Sequence, residues 1–302
     1  MNEWERVKIV QSMQDYISTH LTERITLLDL SRHAGYSPFH CTRVFKEFIG
    51  KSPFEYIRAL RLTQAALKLR DQKPKIIDVA LDYLFDSHEG FTRAFSKEFG
   101  ITPYKYKEKP SPIKLFIPSC VRYEYLYSKR GERPMKQKPP SGTIFVQVID
   151  RPQRKLILKS GIRATDYFEY CEEVSCDVWG ILCSIKEALY EPIGLWLPSC
   201  LQKEGTSQYA QGVEVPSDYN GEVPEGMEII DLPPCQVMVF QGEPFEDELF
   251  CQAIKEISEA INNYNPELYG FAWTDDVAPR FQLEPQGYRG YIEARPVRRL
   301  NS

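Results

Sequence analysis

The sequence predicts two domains of different class. The first is an all-α N-terminal domain with two helix-turn-helix motifs joined by a linking helix. The second is an α+β C-terminal domain of two β-α-β-β pseudo-repeats with an antiparallel sheet. Three observations predict this division. Residues 37–50 read SPFHCTRVFKEFIG and residues 87–100 read SHEGFTRAFSKEFG, so that Ser37/Ser87, Thr42/Thr92, Arg43/Arg93, Phe45/Phe95, Gly50/Gly100, Pro53/Pro103 and Tyr56/Tyr106 recur at an offset of 50. A repeat of that length is one supersecondary unit used twice. After residue 142 the spacing of apolar residues changes from the helical period to the alternation of strands. The charge reverses at the same place: residues 1–140 carry 25 Lys+Arg against 16 Asp+Glu (+9), and residues 141–302 carry 13 against 26 (−13).

A chain of 302 residues is long enough for two ordinary cores. The opening MNEWERVKIVQ mixes charged with apolar groups, unlike a secretory leader. No apolar run approaches the roughly 18 residues of a membrane span. The expected location is therefore the cytoplasm, with no membrane partner. Cys41, Cys120, Cys171, Cys176, Cys183, Cys200, Cys235 and Cys251 sit singly within apolar patterns, and none forms a Cys-x-x-Cys pair. They read as reduced thiols, and neither a metal site nor a cofactor is expected.

Taken in order, Val7, Val10, Met13 and Ile17 recur at three- and four-residue steps and predict an amphipathic helix over residues 4–20. A short helix, LLDLSRHA, follows Thr26 and ends at Gly35, a residue type that takes φ > 0 at little steric cost. Ser37-Pro38 opens the next helix, with serine as cap and proline at the first helical position. In it Cys41, Val44, Phe45 and Phe48 form the core stripe, leaving Phe39, His40, Thr42, Arg43 and Lys46 outward. Ser52-Pro53 opens the linking helix PFEYIRALRLTQAALKLR, roughly 27 Å long at 1.5 Å per residue. KIIDVALDYLFDS precedes the second copy, which Ser87 caps and whose Phe91, Ala94 and Phe95 repeat the core stripe. Two such motifs in one chain can reach successive major grooves, roughly 34 Å apart, without dimerising. The expected partner is double-stranded DNA carrying an asymmetric site.

Residues 109–142, rich in Pro, Lys and Arg, read as a linker. In the second half TIFVQVID and RKLILKSG read as strands. DYFEYCEEVSCDVWGILCSIKEAL reads as one helix with Cys171, Val174, Val178, Ile181, Leu182 and Ile185 inward. GLWLP and YAQGVEV are strand-like. The pattern restarts with CQVMVFQG, a helix carrying Leu249, Ala253, Ile254, Ile257 and Ile261, and then RFQLE and GYIEARPV.

Over roughly residues 4–108 the chain resembles the AraC/XylS transcription regulators, in particular their Rob-like members. GYSPFHCTRVFKEFIGKSP and IIDVALDYLFDSHEGFTRAFSKEFGITPYKY carry the resemblance. It implies a DNA-binding domain over 1–108 in which Phe39, His40, Thr42 and Arg43, and then His88, Glu89, Thr92 and Arg93, contact bases. Two departures stand out. Glu89-Gly90 replace amide and hydroxyl side chains, and Leu84 stands where a turn glycine is common. Glu89 can accept from cytosine N4 but repels phosphate, and Gly90 reads no base.

Over about 143–299, PEGMEIIDLPPCQVMVFQGEP and GYIEARPVRRL resemble the GyrI-like effector-binding domain. That resemblance implies an effector domain over 143–302 whose cleft takes a lipophilic, often cationic, small molecule. Trp179, Trp196, Tyr209, Trp273 and Tyr291 are the candidate aromatic lining, with Glu293 as the acidic partner. Each tryptophan also fits simple core packing. The family's acid stands four residues before the terminal-strand proline, a place taken here by Ile292. Regular alternation would send Glu293 to the other face, so either a bulge restores it or the pocket prefers neutral ligands. The predicted activity is a non-enzymatic, ligand-responsive transcription regulator, with RNA polymerase as a further partner. Two alternatives stay open: a hydrolase using Glu293 or Glu284 with a tyrosine, and a protein-binding module for gyrase.

Overall fold

Side-chain caps start the N-terminal helices where the sequence places them. The computed structural model describes residues 1–129 and 142–300, in two units, Met1–Gly131 and Glu132–Ser302. Helix α1 (Glu3–Thr19) opens on a reciprocal box in which Asn2 and Glu5 each accept the other's backbone N–H. Thr26 and Asp29 do the same for α2 (Leu27–Ala34), and Ser52 and Glu55 for α4 (Pro53–Gln72). Ser37 caps α3 (Pro38–Ile49), Ser87 caps α6 (His88–Phe99) and Thr102 caps α7 (Pro103–Glu108). α3 and α6 end on left-handed Gly50 (φ 74°) and Gly100 (φ 70°). Helix α5 (Ile76–Asp82) lies between α4 and α6.

The repeat is closer, and less regular, than an offset of 50 suggests. Before α3, Gly35 takes φ 74° while the N–H of Tyr36 donates to the Ser31 carbonyl at 3.1 Å. Before α6, Leu84 takes φ 60° while the N–H of Phe85 donates to the Ala80 carbonyl at 2.8 Å. The two turns close the same way but 49 residues apart, so Asp86 is one extra residue in the second. Leu84 accepts a conformation that costs a side-chain-bearing residue about 1–2 kcal/mol, which is why glycine would suit that place.

Val7, Val10, Met13 and Ile17 are fully buried against Leu30, Cys41, Val44 and Phe45. Phe85, Phe91, Phe95, Phe99 and Tyr106 make the second, aromatic core. α4 packs on α3, α5, α6 and α7, and its Arg61 donates to the carbonyls of Leu21 and Glu23. The described part of the segment read as a linker belongs to this unit instead. Ile113, Leu115 and Val121 are buried, and α8 (Val121–Ser128) lies on α1, stacking Tyr125 on Trp4. Its Pro and Lys residues suggested a tether, but its apolar residues find a core. Residues 130–141 lie outside the described residues.

Tyr56, 2% exposed, accepts from the Gln14 amide at 3.1 Å, and burial pushes its phenol up to about 12. A phenol whose folded pKa lies above its unfolded value near 10 stabilises fully below pH 10, and that contribution is lost as pH rises to 12. The loss amounts to about 2–3 kcal/mol. Unfolding free energies measured from pH 9 to 12 are expected to fall less steeply in Tyr56→Phe than in the natural protein; parallel curves would contradict this.

The C-terminal unit is built on nine antiparallel strands among the described residues: β1 (Phe145–Arg151), β2 (Arg154–Ser160), β3 (Ile193–Trp196), β4 (Tyr209–Pro216), β5 (Glu228–Leu232), β6 (Cys235–Gln241), β7 (Phe271–Trp273), β8 (Arg280–Gln282) and β9 (Ile292–Arg299). Their order is β1-β6-β9-β8-β3-β4-β2-β5, with β7 also on β9. The sequence reading missed β5 and the three-residue β7. It also drew one helix where there are two, α9 (Tyr167–Glu173) and α10 (Asp177–Ser184). The break falls at Ser175, whose φ of 112° no helix contains and whose hydroxyl accepts the Asp177 N–H. Cys171, Val174 and Ile181 are accordingly only half-buried.

α9 and α10 cover Ile157, Tyr209, Val213 and Val215, while α11 (Phe250–Asn263) covers Met238, Phe240, Tyr291 and Val297. A cluster of strand and loop residues, with Leu156, Leu195, Ala210, Val237, Phe281 and Ala294, fills the opposite face.

Candidate nucleic-acid interface and effector site

α3 has one buried and one free face. Cys41, Val44 and Phe45 are fully buried, and on the opposite side Phe39 (80% exposed), Arg43 and Lys46 stand in line at helical spacing. Thr42 is half-buried, and its hydroxyl donates to the Pro38 carbonyl at 2.9 Å, so towards a ligand it can only accept or offer its methyl. His40 is half-buried with its ring 5.4 Å from that of Tyr36, and its Nε2 is enclosed. That leaves it less available than Phe39 or Arg43. Glu47 is held by Arg6, whose hydrogen bond keeps the carboxyl below its usual range, so this acid on the free side is neutralised within the unit.

In α6 the exposed line is Glu89 and Arg93, with His88 at the helix start and Thr92 half-buried beside them. Ser96 stands where α3 has Lys46 and exposed Lys97 where α3 has Glu47, so the second helix moves its second cation by one position and places a carboxylate, Glu89, where α3 has Phe39. Glu89 lies in the first turn, where the positive end of the helix favours a carboxylate.

In the C-terminal unit, four neighbouring strands bring polar and aromatic side chains to one face. Register places Tyr209, Trp196 and Arg280 in one row across β4, β3 and β8, and Gln211, Gly194, Gln282 and Glu293 in the next row, reaching β9. Tyr209 and Trp196 meet edge-on, with ring centres 5.3 Å apart at 75°. The Trp196 indole N–H donates to the Thr165 carbonyl at 2.9 Å, fixing the ring. Arg280 lies 4.5 Å from the centre of that ring and donates through Nε to Glu293 Oε1 at 2.5 Å. Tyr291 donates to Gln282 Oε1 at 2.7 Å and sits 3.5 Å from Glu293 Oε2. Burial, and then the Glu293 charge, hold the Tyr291 phenol far above its ordinary pKa; burial does the same for Tyr209. Gly194 is required here, because a Cβ would lie 2.3 Å from Tyr209 Oη.

Trp196, Tyr209, Tyr291 and Glu293 are therefore brought together. Trp273 stands further along, against Phe240 and Tyr264, with Arg295 over its ring at 4.4 Å. Trp179 is buried on α10. Glu293 needs no bulge: β9 is regular, and Ile292 belongs to the strand cluster on the opposite face. Counting back from Pro296 placed the acid in the wrong parity, whereas Tyr291 and Glu293 share a face. Arg280, Gln282 and Gln211 went unnoticed in the sequence. The signal was there in Tyr209-x-Gln211, Arg280-x-Gln282 and Tyr291-x-Glu293, three polar pairs on strands whose other faces are apolar.

A cleft of about 50 Å³ beside α11, lined by Thr143, Glu243, Phe245, Gln252 and Glu256, lies apart from these residues. It falls well short of the roughly 300 Å³ of a drug-sized site. Among the described residues no group of His, Cys, Asp or Glu could hold a metal, and no helix is long and apolar enough to cross a membrane.

Residues 30–109 match the family model described as a helix-turn-helix domain. The Right origin-binding protein of Escherichia coli (strain K12) is 39% identical over 106 residues, which are 35% of this chain and 37% of that protein. The chain thus spans just over a third of that relative's length. The HTH-type transcriptional activator AarP of Providencia stuartii is 37% identical over 99 residues, 33% of this chain and 73% of that one. A solved structure, a putative bacterial transcription regulation protein from Staphylococcus aureus MU50, overlays 51% of this chain and 98% of its own at 15% identity, with a TM-score of 0.35. The capped helices with their free basic face lie within the matched helix-turn-helix residues, and AarP is spanned over most of its length. This chain belongs to the AraC/XylS family of transcription regulators.

Proposed function

We propose that the protein is a sequence-specific DNA-binding regulator whose C-terminal unit binds a lipophilic small molecule. In this reading α2–α3 and α5–α6 are two helix-turn-helix motifs, and α3 and α6 enter major grooves of one asymmetric site. The observation that carries it is the recurrence of an exposed arginine, Arg43 and Arg93, at the same place in two serine-capped helices of one chain. Phe39, His40, Thr42, Arg43 and Lys46 form the first contact set, and His88, Glu89, Thr92 and Arg93 the second. The net +9 of residues 1–140 supplies the field that phosphate attracts. DNA contacts belong to residues 1–108 and effector contacts to 143–302; RNA polymerase is the partner through which binding would alter transcription.

The strand order is symmetric about its centre, with β3, β4, β2, β5 on one side answering β8, β9, β6, β1 on the other. This supports two β-α-β-β pseudo-repeats of the GyrI-like kind, with the Trp196–Tyr209–Tyr291–Glu293 face at their meeting. Glu293 is engaged by Arg280, which favours a ligand-binding role over that of a general base.

Fluorescence anisotropy with duplexes selected from a random pool tests the DNA reading. Binding is expected to weaken steeply with salt and to depend on sequence. Glu89→Gln should change preference at one or two base pairs, by about 1–3 kcal/mol for each contacted pair. Sequence-blind binding would refute the reading, and unchanged preference in Glu89→Gln would place Glu89 outside the groove.

A further inference from the structure

The acid and the aromatic ring on the C-terminal face are already satisfied by a cation of the chain itself. Glu293 is 1% exposed, and a carboxylate so deeply buried requires a partner. Arg280 supplies it at 2.5 Å, and the same guanidinium covers the Trp196 ring. Arg280 thus uses both attractions that an aromatic face beside a carboxylate offers to a positive ligand. Its side chain is 34% exposed, so it reaches the buried acid from the solvent edge. The neighbouring tryptophan repeats the arrangement, with Arg295 over Trp273 and paired to Asp275.

The hydrogen-bonding capacity left on this face is neutral. Tyr209 Oη and both amide atoms of Gln211 are buried without a partner among the described residues, in the same two rows as Trp196 and Gly194. Leaving such groups unpaired costs about 1–3 kcal/mol each, a cost that a ligand with matching groups removes.

We propose that Arg280 is a built-in cation standing where a cationic ligand would otherwise sit. The site then takes uncharged aromatic molecules bearing a hydrogen-bonding group, and takes lipophilic cations only when Arg280 is removed. This rests on the effector-binding reading above and specifies its ligand class.

Two probes of nearly equal shape test it: triphenylphosphine oxide, which is neutral and carries an acceptor oxygen, and methyltriphenylphosphonium. With the full chain, tryptophan fluorescence titration is expected to show the oxide binding at least tenfold more tightly than the phosphonium. In Arg280→Ala the phosphonium should gain at least tenfold, about 1.4 kcal/mol. In Arg280→Ala/Glu293→Gln that gain should vanish, since the carboxylate is gone. Arg280→Ala leaves a buried charge unpaired; if it is too unstable to titrate, the phosphonium is expected to raise its melting temperature and to leave that of the double variant unchanged. Preferential binding of the phosphonium by the natural protein, or an unchanged phosphonium affinity in Arg280→Ala, overturns the proposal while the effector reading stands. Failure of both probes in all three proteins overturns the effector reading together with it.

Discussion

Glu214→Gln is expected to destabilise the C-terminal unit by about 3–5 kcal/mol. Glu214 is 3% exposed and bridges two arginines, accepting from Arg154 Nε at 2.6 Å and from Arg151 Nη1 at 3.0 Å. Arg154 is itself 2% exposed and also donates to the carbonyls of Pro152 and Pro233 at 3.1 and 3.2 Å. Glutamine preserves volume and one acceptor but leaves two guanidinium groups without their counter-charge in a poorly solvated place. Attraction between the ions largely offsets the desolvation of all three, so the intact network adds little net stability. Removing one member is what costs. Trp179, Trp196 and Trp273 all lie in this unit, so tryptophan fluorescence in urea reports mainly on it. A fall in midpoint at constant slope is the expected result; a loss below about 1 kcal/mol would mean that water reaches the arginines.

Arg43→Ala and Arg93→Ala are each expected to weaken specific DNA binding by about 1–3 kcal/mol, roughly fivefold to more than a hundredfold. The two belong to different helices in separate cores and share no described partner, so the double variant should lose about the sum. Both side chains are exposed, so the fold is not at stake. Salt titration assigns the contact. An arginine on phosphate would lower the salt slope by about 0.9 and weaken all sequences alike. One on guanine would relax preference at a single base pair. Arg43 stands between Phe39 and Lys46, whereas Arg93 stands near Glu89, so the larger loss is expected at Arg43. Equal affinity of the double variant and the natural protein would remove α3 and α6 from the interface.

The helical elements were legible because their signals are local. A serine before a proline, a glycine at φ 74° and an apolar stripe at three- and four-residue steps each act within one or two turns of chain. Residues 109–129 were misread for the opposite reason. Ile113, Leu115 and Val121 are isolated in a Pro- and Lys-rich stretch, and only the distant α1 and α4 give them a place to be buried. The break at Ser175 likewise lies in a sequence with helical periodicity on both sides. Its backbone follows from packing two short helices over β4.

The exposed lines Phe39, Arg43 and Lys46 on α3 and Glu89 and Arg93 on α6 were legible because an exposed residue is defined by what its own helix buries, whereas His40, Thr42 and Thr92 are half-buried. The candidate effector face was not visible in full. Trp196, Tyr209, Tyr291 and Glu293 could be named, yet their grouping depends on which strands are neighbours, and β8 lies between β3 and β9 only in the folded sheet. Arg280, a surface-like residue in sequence, meets Glu293 and Trp196 through that neighbourhood.

By itself, the sequence determined the order of a helical part followed by a sheet-bearing part, the charge of each half, the capped helices and the family, since composition, periodicity and caps are properties of short segments. Only the tertiary structure decided that Glu293 shares a face with Tyr291 and that Arg280 answers its charge. Strand pairing brings together residues more than 80 positions apart, as with Trp196 and Arg280. A single strand's alternation also gives two equivalent faces, and only packing distinguishes them.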